Sequence, residues 1–210
     1  MYTIKTPLLL KRIYPSLVWD IPVKEKVIYL TFDDGPVPEI TPFVLHELKK
    51  AGAKATFFCI GDNVRKHPEE FREVVGAGHS IGNHTYNHLN GWHTSDKKYL
   101  DNIALCKPYF RTNLLRPPYG RIRSSQIRAL KKEYHIIMWD ILTGDFDPKL
   151  SPEACYRKVI AKTRPGSIVV FHDSIKAFPR LKYVLPKALE NWTAAGYRFE
   201  AIPGEWTINS

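Results

Sequence analysis

The chain has 210 residues, of which 44% are hydrophobic, enough for one sizeable core but cramped for two independent domains. Its formal charge of +10 admits nucleic acid, an anionic glycan or a membrane surface as a partner. The basic residues, among them Lys49-Lys50, Arg128, Lys131-Lys132, Arg157-Lys158 and Lys162, are scattered over several predicted helices without a zinc-finger or RNA-recognition signature, so solvated helix faces are favoured and nucleic acid is set aside.

At the start, Pro7-Leu8-Leu9-Leu10 is followed at once by Lys11 and Arg12, too short a run for a signal-peptide core or a membrane span. The expectation is therefore a cytoplasmic chain without a visible export signal, with association at the cell envelope left open. Cys59, Cys106 and Cys155 are three in number, so a complete set of internal disulfides is impossible, and Cys59 reads as a small core residue.

Val27 to Phe32 is an apolar run that ends in Asp33-Asp34-Gly35-Pro36. Neighbouring side chains of a regular strand point to opposite faces, so the two carboxylates can serve one site only where the strand breaks, and Gly35-Pro36 supplies the break. Taken alone, the pair is equally well a polar turn. Thr41-Pro42 predicts a helix start, with Val44, Leu45, Leu48 and Ala51 on the apolar face. Ala55 to Ile60 is a second strand, a helix follows from Pro68 to Val75, and a third strand runs from His79 to Asn83.

His84 and His88 then stand four apart, which on a helical turn places both imidazoles on one face, a spacing suited to two ligands of one metal ion. Such a pair alone is more often two surface histidines; a carboxylate from another strand end would complete a common catalytic metal set. His79 and His93 read as structural or peripheral.

Thr94 or Ser95 caps a helix using Leu100, Ile103, Ala104 and Phe110, and Leu114 to Arg116 is a fourth strand leading into Pro117-Pro118-Tyr119-Gly120. A helix over Ser124 to Lys132 precedes a fifth strand, Ile136 to Leu142, which runs out into Asp145-Phe146-Asp147. Ser151-Pro152-Glu153 starts another helix by capping and placement of Pro. Ser167 to Phe171 is a sixth strand ending at His172. Leu181, Leu185, Leu189 and Trp192 mark a final helix that Pro186 starts or kinks, and Tyr197 to Ile202 is a seventh strand. Strands alternating with helices imply an α/β protein with a parallel sheet, open or closed, and functional groups at the carboxyl ends of its strands.

Five stretches, T-F-D-D-G-P at Thr31 to Pro36, N-H-T-Y-N-H at Asn83 to His88, R-P-P-Y-G at Arg116 to Gly120, Asp145-Phe146, and V-F-H at Val170 to His172, resemble in order the motifs of the NodB-like polysaccharide deacetylases, carbohydrate esterase family 4. The resemblance covers about residues 27–202. It implies one domain over 1–210 built as a distorted (β/α) barrel of seven parallel strands. It further implies a metal-dependent hydrolase that removes acetyl groups from N-acetylated sugars of a chitin- or peptidoglycan-like glycan.

By the same resemblance, Asp34, His84 and His88 would hold a divalent ion, usually zinc, and Asp33 would be the general base. The backbone N–H of Tyr119 would help to stabilise the oxyanion, and His172 would protonate the leaving amine. Arg116 would orient Asp33, and Asp145 would position His172. The expected partner is an acetylated glycan, and no partner protein is inferred.

Removal of O-acetyl groups, as from acetylated xylan, would use the same atoms. A non-catalytic glycan-binding domain would be expected to have lost the base, a ligand or the acid, all of which are present. Phe146 and Val170 depart from the Trp and Leu common in the family, which bears on pocket shape. Tyr86, Trp92, Trp139 and Phe146 are candidates to line the groove, each with core packing as the plainer alternative.

Overall fold

The computed structural model describes residues 3–204. Its parallel strands are β1 (Val27–Asp33), β2 (Ala55–Cys59), β3 (Ser80–Asn83), β4 (Leu114–Leu115), β5 (His135–Ile136), β6 (Ile141–Leu142), β7 (Ile168–His172) and β8 (Arg198–Phe199). They lie in the order β5-β4-β3-β2-β1-β7-β6, and β8 pairs with the first residues of β1. The helices are α1 (Leu8–Ile13), α2 (Ile40–Lys50), α3 (Gly61–Lys66), α4 (Pro68–Gly76), α5 (Asp96–Ala104), α6 (Ser124–Leu130), α7 (Pro152–Lys162) and α8 (Phe178–Ala194).

The alternation of β1 sorts its residues into two layers. Ile28, Leu30 and Phe32 pack outward into the main core with Val44 and Leu48 of α2 and Leu181 and Leu185 of α8. Val27 and Tyr29 point inward with Phe58, Leu114, Ile137, Ile168 and Ile202. Both faces are covered, which is why the central strands read as unbroken apolar runs. Asp33 stands two and four residues after Thr31 and Tyr29, so the same alternation turns its side chain toward the interior.

The predicted fifth strand is the main departure. It is broken into β5 and β6, and these pieces are the two edges of the sheet, so residues 137–140 join one edge to the other and close a distorted (β/α) barrel. The break has a cause outside the local sequence: Val18 donates to the Ile136 carbonyl at 2.9 Å and accepts from Met138 N–H at 2.7 Å. Residues 4–20 are thus a wedge in the seam. Ile4 accepts from Leu142 N–H, Thr6 donates to the Asp140 carbonyl, and Leu17 and Trp19 are buried, so the packed unit begins well before residue 27.

The wedge is tied down by Asp140, whose buried carboxylate takes Lys11 Nζ at 2.6 Å and Ser167 Oγ at 2.7 Å. Burial opposes ionisation of Asp140, but those two hydrogen bonds and the charges of Lys11 and Lys5 hold its pKa below the usual carboxylate value.

Two helix starts also differ from expectation. α2 begins at Ile40, so Thr41 lies inside it, and α3 adds a short helix after β2. Pro152 opens α7 as expected, with Ser151 Oγ accepting from Ala154 N–H at 3.2 Å. α8 starts at Phe178 and carries Pro186 inside.

Candidate active site

The strand ends bring the motif residues to one mouth of the barrel. Asp34 follows β1 with φ 83, a left-handed turn that takes its carboxylate out of the strand's alternation. His84 and His88 converge on it without a helix: Thr85 (φ 63) and His88 (φ 56) are also left-handed. That loop is held by side-chain amides, because Thr85 N–H donates to Asn83 Oδ1 at 2.8 Å and Tyr86 N–H to Asn102 Oδ1 at 2.9 Å. The i,i+4 spacing therefore works here through turn geometry, in place of the helical face that the spacing predicts.

His88 Nε2 lies 3.3 Å and His84 Nε2 3.8 Å from Asp34 Oδ1, and one ligand atom from each of the three residues falls within 4.8 Å of the others. Two observations fit this cluster to a cation. Asp34 Oδ1 is buried with no hydrogen-bond partner. His84 Nδ1 is 2.8 Å from the Arg116 carbonyl, which can only accept, so Nδ1 carries the proton and Nε2 presents a lone pair toward Asp34. Burial, then repulsion from His88, pushes the His84 pKa down to about 3, and burial lowers that of His88 as well. Both rings are held neutral, as metal ligation requires.

Beside the triad, Arg116 is fully buried and donates from all three guanidinium nitrogens. NH1 donates to Asp33 Oδ1 and to Thr31 Oγ1, each at 2.7 Å, Nε to the Ile137 carbonyl at 3.2 Å, and NH2 to the Met138 carbonyl at 2.9 Å. Its face lies 4.1 Å over the Phe58 ring. Asp33 is thereby fixed in orientation by a buried ion pair, and the carbonyls exposed by the broken strand are satisfied by the same side chain.

On the neighbouring strand, His172 pairs in register with Asp33. Asp145 holds it twice, through Nδ1 at 2.8 Å and through the backbone N–H at 2.8 Å. Burial disfavours the imidazolium, but the charge and hydrogen bond of Asp145, followed by the charges of Asp34 and Asp33, outweigh it and push the His172 pKa up to about 9. Phe146 stands edge-on to the same ring at 5.1 Å.

Tyr119 is left-handed (φ 60), and its hydroxyl is 3.1 Å from His88 Nδ1, a contact that its motif gives no sign of. Among the groove candidates, Trp92 is exposed, and Trp139 lies half-buried beneath Gly120, where a Cβ would come within 2.6 Å of it. Tyr86 packs toward Gly61 and Tyr109, with its hydroxyl 3.5 Å from Asp62. His79 is structural: Nδ1 accepts from Ala55 N–H at 3.1 Å, and burial pushes its pKa down to about 4.

Sequence reasoning missed Asp173. It is fully buried behind the metal-side turn, where Oδ1 accepts from Gly35 N–H at 3.0 Å and Oδ2 accepts from Thr41 Oγ1 at 2.7 Å. Burial pushes its pKa up to about 8. An Asp after the motif histidine is the only signal in the chain, and its partners are 138 and 132 residues away. Asp173→Ala removes the acceptor of the Gly35 N–H and of the Thr41 hydroxyl, which still accepts from Val37 N–H, with a stability loss of about 1–3 kcal/mol expected in denaturant unfolding.

The arrangement can bind a cation next to a fixed carboxylate and opposite a carboxylate-supported imidazole, the donor set of a metal-assisted hydrolase. Residues 20–136 match the profile of the polysaccharide deacetylase family. A peptidoglycan-N-acetylglucosamine deacetylase of Bacillus cereus is 35% identical over 207 residues, covering 93% of this chain and 96% of that protein. A chitooligosaccharide deacetylase of Azorhizobium caulinodans is 30% identical, covering 84% and 92%. The crystal structure of the Bc1960 peptidoglycan N-acetylglucosamine deacetylase with 4-naphthalen-1-yl-N-oxidanyl-benzamide superposes with a TM-score of 0.86 at 29% identity, over 94% of this chain and 95% of that one. The chain belongs to the polysaccharide deacetylase family, and its distorted barrel is the fold of those enzymes.

Proposed function

We propose that this chain hydrolyses the N-acetyl groups of a glycan of the peptidoglycan or chitin type at a divalent ion, zinc first among candidates, held by Asp34, His84 and His88. The observation that carries the reading is the convergence of the partnerless Asp34 Oδ1 and two neutral imidazoles between Asp33 on one strand and His172 on the next. When bound, such an ion polarises an acetyl carbonyl and makes water acidic enough to attack it near neutral pH.

The chain's own groups account for the protons. Asp33, with Oδ1 held by Arg116, offers its other oxygen to take a proton from the attacking water. The Tyr119 N–H donates to the oxygen that gains charge as water adds to the carbonyl carbon. His172, with Nδ1 on Asp145, has Nε2–H to give to the departing nitrogen. The C–N bond then breaks to leave acetate and a free amine. An amine leaves poorly as an anion, so the raised pKa of His172 suits it to this task.

The test strips the protein with chelator, reloads it with zinc or cobalt, and measures bound metal by mass spectrometry. Acetate release is measured on chitooligosaccharides, peptidoglycan fragments and acetylated xylan. Metal-dependent acetate release from the N-acetylated glycans is expected. Metal-loaded protein that releases acetate only from xylan would overturn the amide reading, and none from any glycan would overturn the hydrolase reading altogether.

A further inference from the structure

α1 buries no residue in the protein. Its Leu8, Leu9, Leu10 and Ile13 are 62%, 69%, 38% and 57% exposed, forming one apolar cluster on a six-residue helix, whereas Val75, Leu105 and Ile175 are exposed singly elsewhere. The helix is firmly placed all the same, through Lys11 to the buried Asp140 and to Asp20.

Its surroundings are basic. Arg12 is exposed on α1 itself, Lys5 Nζ donates to the Lys162 carbonyl at 3.1 Å, and Arg164, half-exposed, reaches Asp20 at 3.3 Å. With Lys11, four basic side chains stand against the two carboxylates that three of them pair with, Asp20 and Asp140.

The position of α1 in the barrel is also defined. Asp140 and Ser167 precede β6 and β7, whereas Asp34 and His84 follow the ends of β1 and β3. All these strands are parallel, so α1 stands at the rim opposite the metal triad.

We propose that α1 docks this chain on an anionic lipid bilayer. Leu8, Leu9, Leu10 and Ile13 enter the headgroup–acyl boundary, and Arg12 with the neighbouring basic groups lies against lipid phosphates. At about 1.5 Å per residue the helix is far too short to cross a hydrocarbon core of about 30 Å, so it lies on the surface. No helix among the described residues is long and apolar enough to span a membrane. The active-site mouth then faces away from the bilayer, toward polymer in front of it. The docking rests on α1 alone and does not depend on the reaction.

The test is sedimentation of the full chain with vesicles of phosphatidylglycerol mixed with phosphatidylcholine, and of phosphatidylcholine alone, at low and high salt. Wild type is expected to bind the anionic vesicles and to release with salt. The Leu8→Ser/Leu9→Ser double variant is expected to bind them at least about tenfold more weakly, given the apolar area withdrawn. Arg12→Gln should weaken binding a few-fold and flatten the salt dependence. Because these side chains are exposed, melting temperature and acetate release from soluble oligosaccharide should be unchanged in the variants. Equal sedimentation of wild type and the double variant would overturn the proposal. So would a wild-type dimer in light scattering that the double variant dissociates, since the patch would then belong to a second copy of the chain. Loss of acetate release from the wild type itself would leave vesicle binding intact and would bear on the catalytic reading only.

Discussion

Asp33→Asn is expected to lower kcat for acetate release by about 10²- to 10⁴-fold, the usual contribution of a positioned general base, while the protein still takes up metal. The side chain keeps its shape, and its amide oxygen can still accept from Arg116 NH1, now 2.7 Å from Asp33 Oδ1. What disappears is the proton acceptor and the counter-charge of a fully buried guanidinium. A stability loss of up to about 3–5 kcal/mol therefore accompanies the kinetic effect, as when a buried pair is broken. Metal content by mass spectrometry checks the division of labour within the Asp33-Asp34 pair. An emptied metal site in Asp33→Asn would mean that the two carboxylates have been assigned the wrong way round, whereas His84→Ala is expected to lose metal.

His172→Ala should cut kcat/KM on an N-acetyl amide by a similar about 10²- to 10⁴-fold and spare an acetyl ester with a good leaving group. The ester's oxygen departs without a proton; the amide's nitrogen does not. Equal losses on both substrates would remove His172 from the acid's role. The pH profile gives a second reading. The acid works protonated, so activity falls as pH rises through the His172 pKa, pushed up to about 9 in the metal-free chain. A cation on Asp34 opposes that rise, so the alkaline limb of the loaded enzyme lies lower. Asp145→Asn removes the largest favourable partner, and the limb should move toward acid by about 1–3 units, the usual effect of one adjacent opposite charge. An unmoved limb would leave Asp145 with a purely structural part.

These groups were legible in the sequence because each sits just past an apolar run, where parallel strands deliver side chains to a common rim. Asp33, His84, Arg116 and His172 follow from that placement, and the order of their motifs supplies the family. What could not be read is long-range. Asp173 touches Gly35 and Thr41 only after the chain has gone round the barrel. Thr41, which looks like a helix cap by local rules, lies inside α2 and donates its hydroxyl to Asp173. His84 and His88 satisfy a helical spacing, yet the bonds to Asn83 and Asn102 select a left-handed turn. The fifth strand, apolar but for Asp140, reads as one run and is broken in fact, because a segment some 120 residues earlier in the chain takes its hydrogen bonds, as in the pairing of Val18 with Ile137.

That segment bears on where this catalytic unit can be cut. The family match begins at residue 20, and a protein trimmed there would lose Val18 and the lysines that neutralise the Asp140 carboxylate. The segment joining the two edges of the sheet also carries the carbonyls of Ile137 and Met138, which aim the guanidinium of Arg116. Loosening the wedge at the far rim would therefore reach Asp33 through one arginine. The segment before the family match is in this way a stave of the barrel, and the fixed orientation of the Asp33 carboxylate depends on its being in place.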